Sequence, residues 1–241
     1  MITSVNNETV KDLAKLSQKK YRQKHQQMIV EGIHLVEEAL KNNLVIDLYA
    51  TKAYDRFNSV TLVSPHVMKK ITEAKNPPTI IALCNIPKPE PVGNQVLILE
   101  HVQDPGNLGT LLRSALAFDF KTVILDECVD YLNAKVIRST QGALFNLNII
   151  QSSVAAFHDE YPHTLLSTHV SKEKPLNGQL KHPFALILGN EGKGVQEATL
   201  NQSDYWLNIE TSSVESLNVS VAGSILMCQL SEHALNPLIK G

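Results

Sequence analysis

Four short stretches in the later part of the chain are apolar with little alternation: Val96-Leu97-Ile98-Leu99, Thr122-Val123-Ile124-Leu125, Thr164-Leu165-Leu166-Ser167-Thr168 and Phe184-Ala185-Leu186-Ile187-Leu188-Gly189. A strand with one wet face alternates polar and apolar residues, whereas one apolar throughout must be covered on both faces. Strands of this kind, spaced by segments long enough for helices, predict an α/β sandwich around a mainly parallel sheet. Helices are expected over about 107–118 and from about 133. With 43% apolar residues among 241, the chain has ample material for such a core.

The segment Cys84-Asn85-Ile86-Pro87-Lys88-Pro89-Glu90-Pro91-Val92-Gly93-Asn94 punctuates the sequence. Three prolines at alternate positions fit neither a helix interior nor a central strand, and they favour an extended connector. The expected organisation is therefore a first domain over 1–88, a linker over 89–94 and a second domain over 95–241. Before the joint, Gln27-Met28-Ile29-Val30, Leu44-Val45-Ile46-Asp47-Leu48-Tyr49 and Thr79-Ile80-Ile81-Ala82-Leu83-Cys84 read as strands. A helix is expected over about 33–41, with Ile33, Val36 and Leu40 on one apolar face. Ser64-Pro65 opens a further short helix, with Ser as N-cap and Pro in its first turn.

Charge reverses at the same joint. Up to Lys88 there are thirteen Lys and Arg against eight Asp and Glu; beyond it there are nine against sixteen. The excess is densest at Lys11, Lys15, Lys19, Lys20, Arg22 and Lys24, with Asp12 the one acid among them. A basic module beside an acidic one points to a polyanion such as nucleic acid, although a solvated helix face accounts for the same charges. Three cysteines cannot all pair, and no run nears the ~18–20 apolar residues of a membrane span. Met1-Ile2-Thr3-Ser4-Val5-Asn6-Asn7-Glu8 lacks the basic and apolar regions of a signal peptide, so a soluble cytoplasmic protein is expected, with no membrane partner. The nine histidines show no zinc-like spacing, so no metal is expected. Cys84, Cys128 and Cys228 form no C-x-x-C pair and read as small buried hydrophobes.

Three segments of the second domain carry residues that a plain turn does not need. The first, His101-Val102-Gln103-Asp104-Pro105-Gly106-Asn107-Leu108-Gly109-Thr110-Leu111-Leu112-Arg113, breaks a strand at Asp-Pro-Gly and offers Asn107 as a helix N-cap. Asn107 and Arg113 are six apart, so they do not share a helix face. Arg113 suits a phosphate, or an ordinary surface ion pair. The second, Gly189-Asn190-Glu191-Gly192-Lys193-Gly194-Val195, has the glycine density of a backbone that a ligand approaches closely. It lacks both the P-loop and the dinucleotide spacing. A tight strand-to-helix turn would also use these glycines, but Glu191 at its centre favours a function. The third, Glu215-Ser216-Leu217-Asn218-Val219-Ser220-Val221-Ala222-Gly223-Ser224-Ile225-Leu226, reads as a buried helix capped by Ser216. That reading leaves Asn218 unexplained.

In this order the three segments resemble the three motifs of the SpoU/TrmH family of RNA 2′-O-ribose methyltransferases, in the SPOUT superfamily. Arg138-Ser139-Thr140-Gln141-Gly142-Ala143 resembles the family's segment between the first two motifs. Val30-Glu31-Gly32 with Val36-Glu37-Glu38-Ala39-Leu40 is similar to its N-terminal substrate-binding domain, a small α/β unit of ribosomal-protein-like fold. The resemblance implies a C-terminal trefoil knot, an exception to the rule against threaded chains. It further implies S-adenosylmethionine (AdoMet) held by Thr168, Gly189, Ile209 and Leu217, and a homodimer whose site is completed across the interface. Asn107, Arg113, Glu191, Ser216 and Asn218 become the catalytic set. Arg113 would bind phosphate and stabilise an incipient alkoxide, Asn107 would position it, and Glu191 would orient it or accept a proton. Ser216 and Asn218 would organise the third segment. RNA is the implied partner, with ribosomal RNA favoured over transfer RNA. The competing reading keeps the fold as a non-catalytic RNA-binding factor in ribosome assembly. Two departures stand out: Ile209-Glu210-Thr211 replaces the family's Ile-Pro-Met, setting a carboxylate near the expected cofactor edge, and Asn148 replaces a frequent proline.

Overall fold

A computed structural model describes residues 1–57, 59–72, 76–169, 174 and 180–231. In chain order the elements begin α1 (Glu8–Lys15), α2 (Lys19–His25), β1 (Gln27–Glu31), α3 (Ile33–Lys41), β2 (Val45–Ala50), β3 (Val60–Leu62), α4 (Pro65–Ile71) and β4 (Ile80–Asn85). They continue with β5 (Gln95–Glu100), α5 (Pro105–Ala117), β6 (Thr122–Asp126), α6 (Ala134–Thr140), a 3-10 turn (Ala143–Asn146), β7 (Asn148–Gln151) and α7 (Val154–Glu160). Last come β8 (Thr164–Thr168), β9 (Phe184–Leu188), α8 (Glu197–Gln202), β10 (Tyr205–Leu207) and α9 (Val219–Leu230).

These elements group into two compact units. One comprises Met1–Lys88 with Asp130–Asn146, the other Pro89–Val129 with Leu147–Gly241. The stretch Asp130–Asn146, which the sequence places in the second domain, thus packs with the first unit.

The first unit is built on a four-stranded sheet in the order β1-β4-β2-β3, with β4 antiparallel to both neighbours and β3 parallel to β2. The register slips between Val45 and Asp47, so Ile46 bulges out and stays 40% exposed despite its apolar side chain. Ser64 caps α4 through Val67 N–H, with Pro65 in the first turn. In α3 the buried face is Leu35, Val36 and Ala39 rather than the expected set, and Leu40 points outward. Arg22, counted among the outward cations, is buried: its guanidinium donates to the carbonyls of Leu16 at 2.6 Å and Ser17 at 2.7 Å and pairs with Asp130. Arg138 pairs with the buried Glu31 at 2.8 Å.

The second unit's sheet runs β10-β8-β9-β5-β6-β7, and every pairing in it is parallel. Its inner strands are the apolar runs: β9 is buried throughout, and β5 and β6 at all but one position each. One side of the core gathers Val96, Ile98, Ile124, Leu165, Ala185 and Ile187 against Val154 and Phe157 of α7. Asn148 is more than a substitute for proline. Its buried carboxamide accepts Glu90 N–H at 2.9 Å and donates to Glu90 O at 2.8 Å, tying the proline-rich joint to β7. Among the described residues no helix is long and apolar enough to cross a membrane.

Candidate active site

The strand order turns back at β5, whose neighbours β6 and β9 lie on either side of it. In open parallel sheets a ligand settles beyond the carboxyl ends of the strands, where the order reverses. The loops leaving β5 and β9, and the segment 208–218 leading into α9, all lie at that edge.

At the first loop the N-cap is Asp104, not Asn107. The Asp104 carboxylate accepts from Gly106 N–H at 2.8 Å and Asn107 N–H at 2.9 Å, and Pro105 occupies the first turn, where its missing N–H costs nothing. The helix therefore starts two residues before the expected position, and the Asn107 side chain is left available to bond outward. In the third segment the cap is Asn218, not Ser216. Its carboxamide oxygen accepts from Ser220 N–H at 2.9 Å and from Ser220 Oγ at 2.6 Å.

With Asp104 and Asn218 as the caps, a relay of hydrogen bonds runs across all three loops. With its oxygen committed to Ser220, Asn218 turns its NH₂ to the Asn107 oxygen at 3.0 Å. Asn107 must then present its own NH₂, which donates to Glu191 at 3.2 Å. The Glu191 carboxylate also accepts from the backbone N–H of Asp104 at 3.0 Å and of Gln103 at 3.3 Å. Burial pushes the Glu191 pKa upward. The N–H groups of Asp104 and of Glu191 itself, the Asn107 amide and Gln103 N–H outweigh it and hold the carboxyl below the ordinary glutamate value. Neither Asn107 nor Glu191 touches Arg113. Arg113 stands exposed on α5, with no hydrogen bond or ion pair to any described residue.

The second loop is stitched by its own backbone. Asn190 and Gly194 exchange N–H···O bonds of 3.0 and 2.9 Å, closing a tight turn in which Gly194 has φ +71°. Gly189 lies against that turn so closely that a Cβ on it would stand 2.1 Å from the carbonyl carbon of Gly194. Asn190 adds a staple: its oxygen accepts from the N–H of Gly192 and Lys193, and its NH₂ reaches His101 O at 2.9 Å. Behind the loop, α9 approaches α5 at Gly223, where a Cβ would meet Leu188 and Leu111 at 2.4 and 2.5 Å. Ser114 and Ser224 share a hydrogen bond of 2.7 Å between the same helices.

A cavity of about 380 Å³ opens here, within the ~300–1,000 Å³ typical of small-molecule sites. Thr168, Gly189, Ile209 and Leu217 all line it, as do Glu191 and Ser216. Asn107, Arg113 and Asn218 do not. Glu210 is also absent from the lining, and the carboxylate at the wall besides Glu191 is Glu215. The charge expected from replacing the family's proline therefore falls outside the cavity. Leu188, Val195, Leu207 and Leu226 supply apolar wall. The thiols of Cys84 and Cys128 are each pushed up to about 12 by burial, which keeps them protonated and unreactive. Among the described residues no group of three or more His, Cys, Asp or Glu is placed to hold a metal.

Asp104, Asn190 and Ser220 are site residues that motif reading passed over. Asp104-Pro105 carried a usable signal, since Asp before Pro at a helix start is a cap pattern. Ser220 carried none, because its role depends on Asn218 being the cap.

Residues 94–228 match the SpoU rRNA Methylase family, and residues 7–82 match the MRM3-like substrate binding domain. The 23S rRNA (guanosine(2553)-2′-O)-methyltransferase RlmP of Bacillus subtilis is 36% identical over 95% of this chain and 98% of its own. An AdoMet-bound rRNA methyltransferase from Sinorhizobium meliloti superposes with a TM-score of 0.80 at 26% identity, covering 95% of each chain. The SpoU methyltransferase AviRb of Streptomyces viridochromogenes, in complex with AdoMet, shares the fold with a TM-score of 0.82 at 21% identity, over 96% of this chain and 99% of that one. Matched over more than half its length by the family's pattern, and aligned almost end to end with a curated relative, the chain belongs to the SpoU rRNA methylase family.

Proposed function

We propose that this protein methylates a ribose 2′-hydroxyl of large-subunit ribosomal RNA, with AdoMet as the donor. The observation that carries the reading is the convergence of three loops from distant parts of the sequence. Glu191, Asn107 and Asn218 form one hydrogen-bonded chain beside the cavity that Thr168, Gly189, Ile209 and Leu217 line. The cavity suits the donor. The close-packed glycine turn brings main chain rather than bulky side chains to the cavity wall, the apolar wall receives flat and aliphatic parts, and Glu191 and Glu215 supply negative charge. Bound there, AdoMet supplies an electrophilic methyl carbon on a sulfonium centre.

The chain's own residues contribute orientation and charge. Arg113, exposed and unpaired among the described residues, binds an RNA phosphate and stabilises negative charge developing on the 2′-oxygen. A guanidinium with pKa above about 12 is a poor proton acceptor, so charge stabilisation is its role. Glu191 holds the N-terminus of α5 in register through Asp104, Gln103 and Asn107, and acts on the reaction by positioning. Arg113 lies outside the cavity of its own chain. This supports a homodimer in which one copy's arginine serves its partner's cavity. The trefoil knot of the tail, the ribosomal-protein-like character of the first unit and action in the cytoplasm belong to the same proposal. The full span of the RlmP alignment and the parallel strand order support it.

Arg113→Ala tests the assignment. Calorimetry should show AdoMet binding unchanged, while methyl transfer to unmodified 23S rRNA falls about 10²–10³-fold. Unimpaired transfer would reject the site. An unmutated chain that bound rRNA but gave no heat with AdoMet would instead indicate the non-catalytic assembly factor.

A further inference from the structure

Helix α2 has no apolar stripe. Its sequence is Lys-Lys-Tyr-Arg-Gln-Lys-His, and the one side chain it buries is Arg22. Seven polar residues do not hold a helix in water by propensity, so tertiary anchoring must do it. Arg22 is the anchor. Only 5% exposed, it spans the carbonyls of Leu16 and Ser17 and the carboxylate of Asp130. Desolvating a guanidinium costs several kcal/mol, which an apolar residue in its place would avoid. The arginine has a second consequence: it occupies Asp130, the acid packed against this helix.

The outward face is thereby left with uncompensated charge. Lys19, Lys20 and Lys24 are exposed, and none forms an ion pair with a described residue. Of the acids on neighbouring elements, Asp12 of α1 is taken by Lys15 at 2.8 Å and Glu31 of β1 by Arg138. Between the lysines stands Tyr21, half-exposed, with the Lys20 ammonium 4.9 Å and the Lys15 ammonium 6.0 Å from its ring centroid. Lys15 is engaged by Asp12, so Lys20 is the free cation at the ring, with Lys19 and Lys24 exposed on the same short helix; cations beside an accessible aromatic ring are the elements of a single-strand platform, in which ammonium groups take phosphates and the ring stacks a base. An acidic protein partner would use the lysines but give the ring no stacking role.

We propose that α2 is an RNA-docking surface of the first unit. Lys19, Lys20 and Lys24 neutralise phosphates, Tyr21 stacks an unpaired base, and Arg22 fixes the helix that presents them. The inference rests on the RNA methyltransferase reading and names where substrate RNA is gripped outside the catalytic cavity.

The test uses the full chain, its variant Lys19→Ala/Lys20→Ala/Lys24→Ala, and unmodified 23S rRNA fragments transcribed in vitro. Binding is measured across a salt series, with AdoMet calorimetry run in parallel. Alanine favours a helix, so the triple variant keeps α2 folded. Three lost contacts to single-stranded RNA should flatten the slope of log K against log salt by about 2, with AdoMet affinity unchanged. Tyr21→Ala should weaken RNA binding about tenfold and Tyr21→Phe should not, because the phenyl ring keeps its stacking face. A triple variant with the unmutated slope and affinity would overturn the docking surface and leave the methyltransferase reading standing. An unmutated chain that bound neither AdoMet nor RNA would overturn both.

Discussion

An alanine at Gly189 would place its Cβ 2.1 Å from the carbonyl carbon of Gly194 and 2.2 Å from both the Gly194 oxygen and the Val195 nitrogen. Non-bonded carbons meet comfortably at about 3.5–4.0 Å, so the overlap exceeds an ångström. The obstruction is main chain, and no side-chain rotation relieves it. The end of β9 must separate from its loop, breaking the two Asn190–Gly194 bonds of 3.0 and 2.9 Å. Two backbone hydrogen bonds at a net ~1 kcal/mol each, with ~1–3 kcal/mol for overpacking, set about 3–5 kcal/mol against the native turn. Read out as AdoMet affinity, that is a loss of at least about 100-fold. Gly192→Ala is the control, because a Cβ there meets only Asn190 Oδ1 at 3.8 Å, an ordinary contact. Calorimetry with AdoMet on both variants, alongside thermal melts, decides the matter. If Gly189→Ala bound AdoMet as tightly as the unmutated chain, or if Gly192→Ala lost as much, the claim that main-chain closeness shapes the cavity would be wrong.

Two further outcomes follow from the relay. Glu191 has a native pKa below its ordinary value of 4.5, so its stabilising contribution is complete above that value and lost as pH falls through the depressed native one. The melting temperature of Glu191→Gln should therefore lie below that of the unmutated chain near neutrality, with the gap closing in acid; a gap that widened on acidification would contradict the sign. Ser220→Ala removes the hydroxyl that directs the Asn218 amide. It should slow methyl transfer about tenfold at unchanged AdoMet affinity, with Ser220→Thr restoring the rate, and equal losses in both variants would assign Ser220 to packing alone.

The parallel sheet was legible because its inner strands break the alternation that a wet face imposes, and β5, β6, β8 and β9 fall on those apolar runs. The residues around the cavity were legible through motif resemblance, which brought Thr168, Gly189, Ile209 and Leu217 to one wall. Caps were harder. Asp104 and Asn107 are both good capping residues, and Pro105, read as part of a strand break rather than as a first helical residue, is what decides between them. The burial of Arg22 had no local signal at all. Its sequence neighbours are lysines, and its carboxylate partner lies 108 residues away. Glu210 misled for a simpler reason: Ile209 turns into the cavity and the next side chain does not.

The grouping of Asp130–Asn146 with the first unit bears on how the gene can be dissected. A cut at the proline-rich joint separates Arg22 from Asp130 and Glu31 from Arg138, so the amino-terminal fragment would start life with a buried cation and a buried carboxylate both stranded. Chimeras that exchange substrate domains between relatives should therefore graft two pieces, the leading 88 residues and this internal insert, or inherit a misfit at the seam.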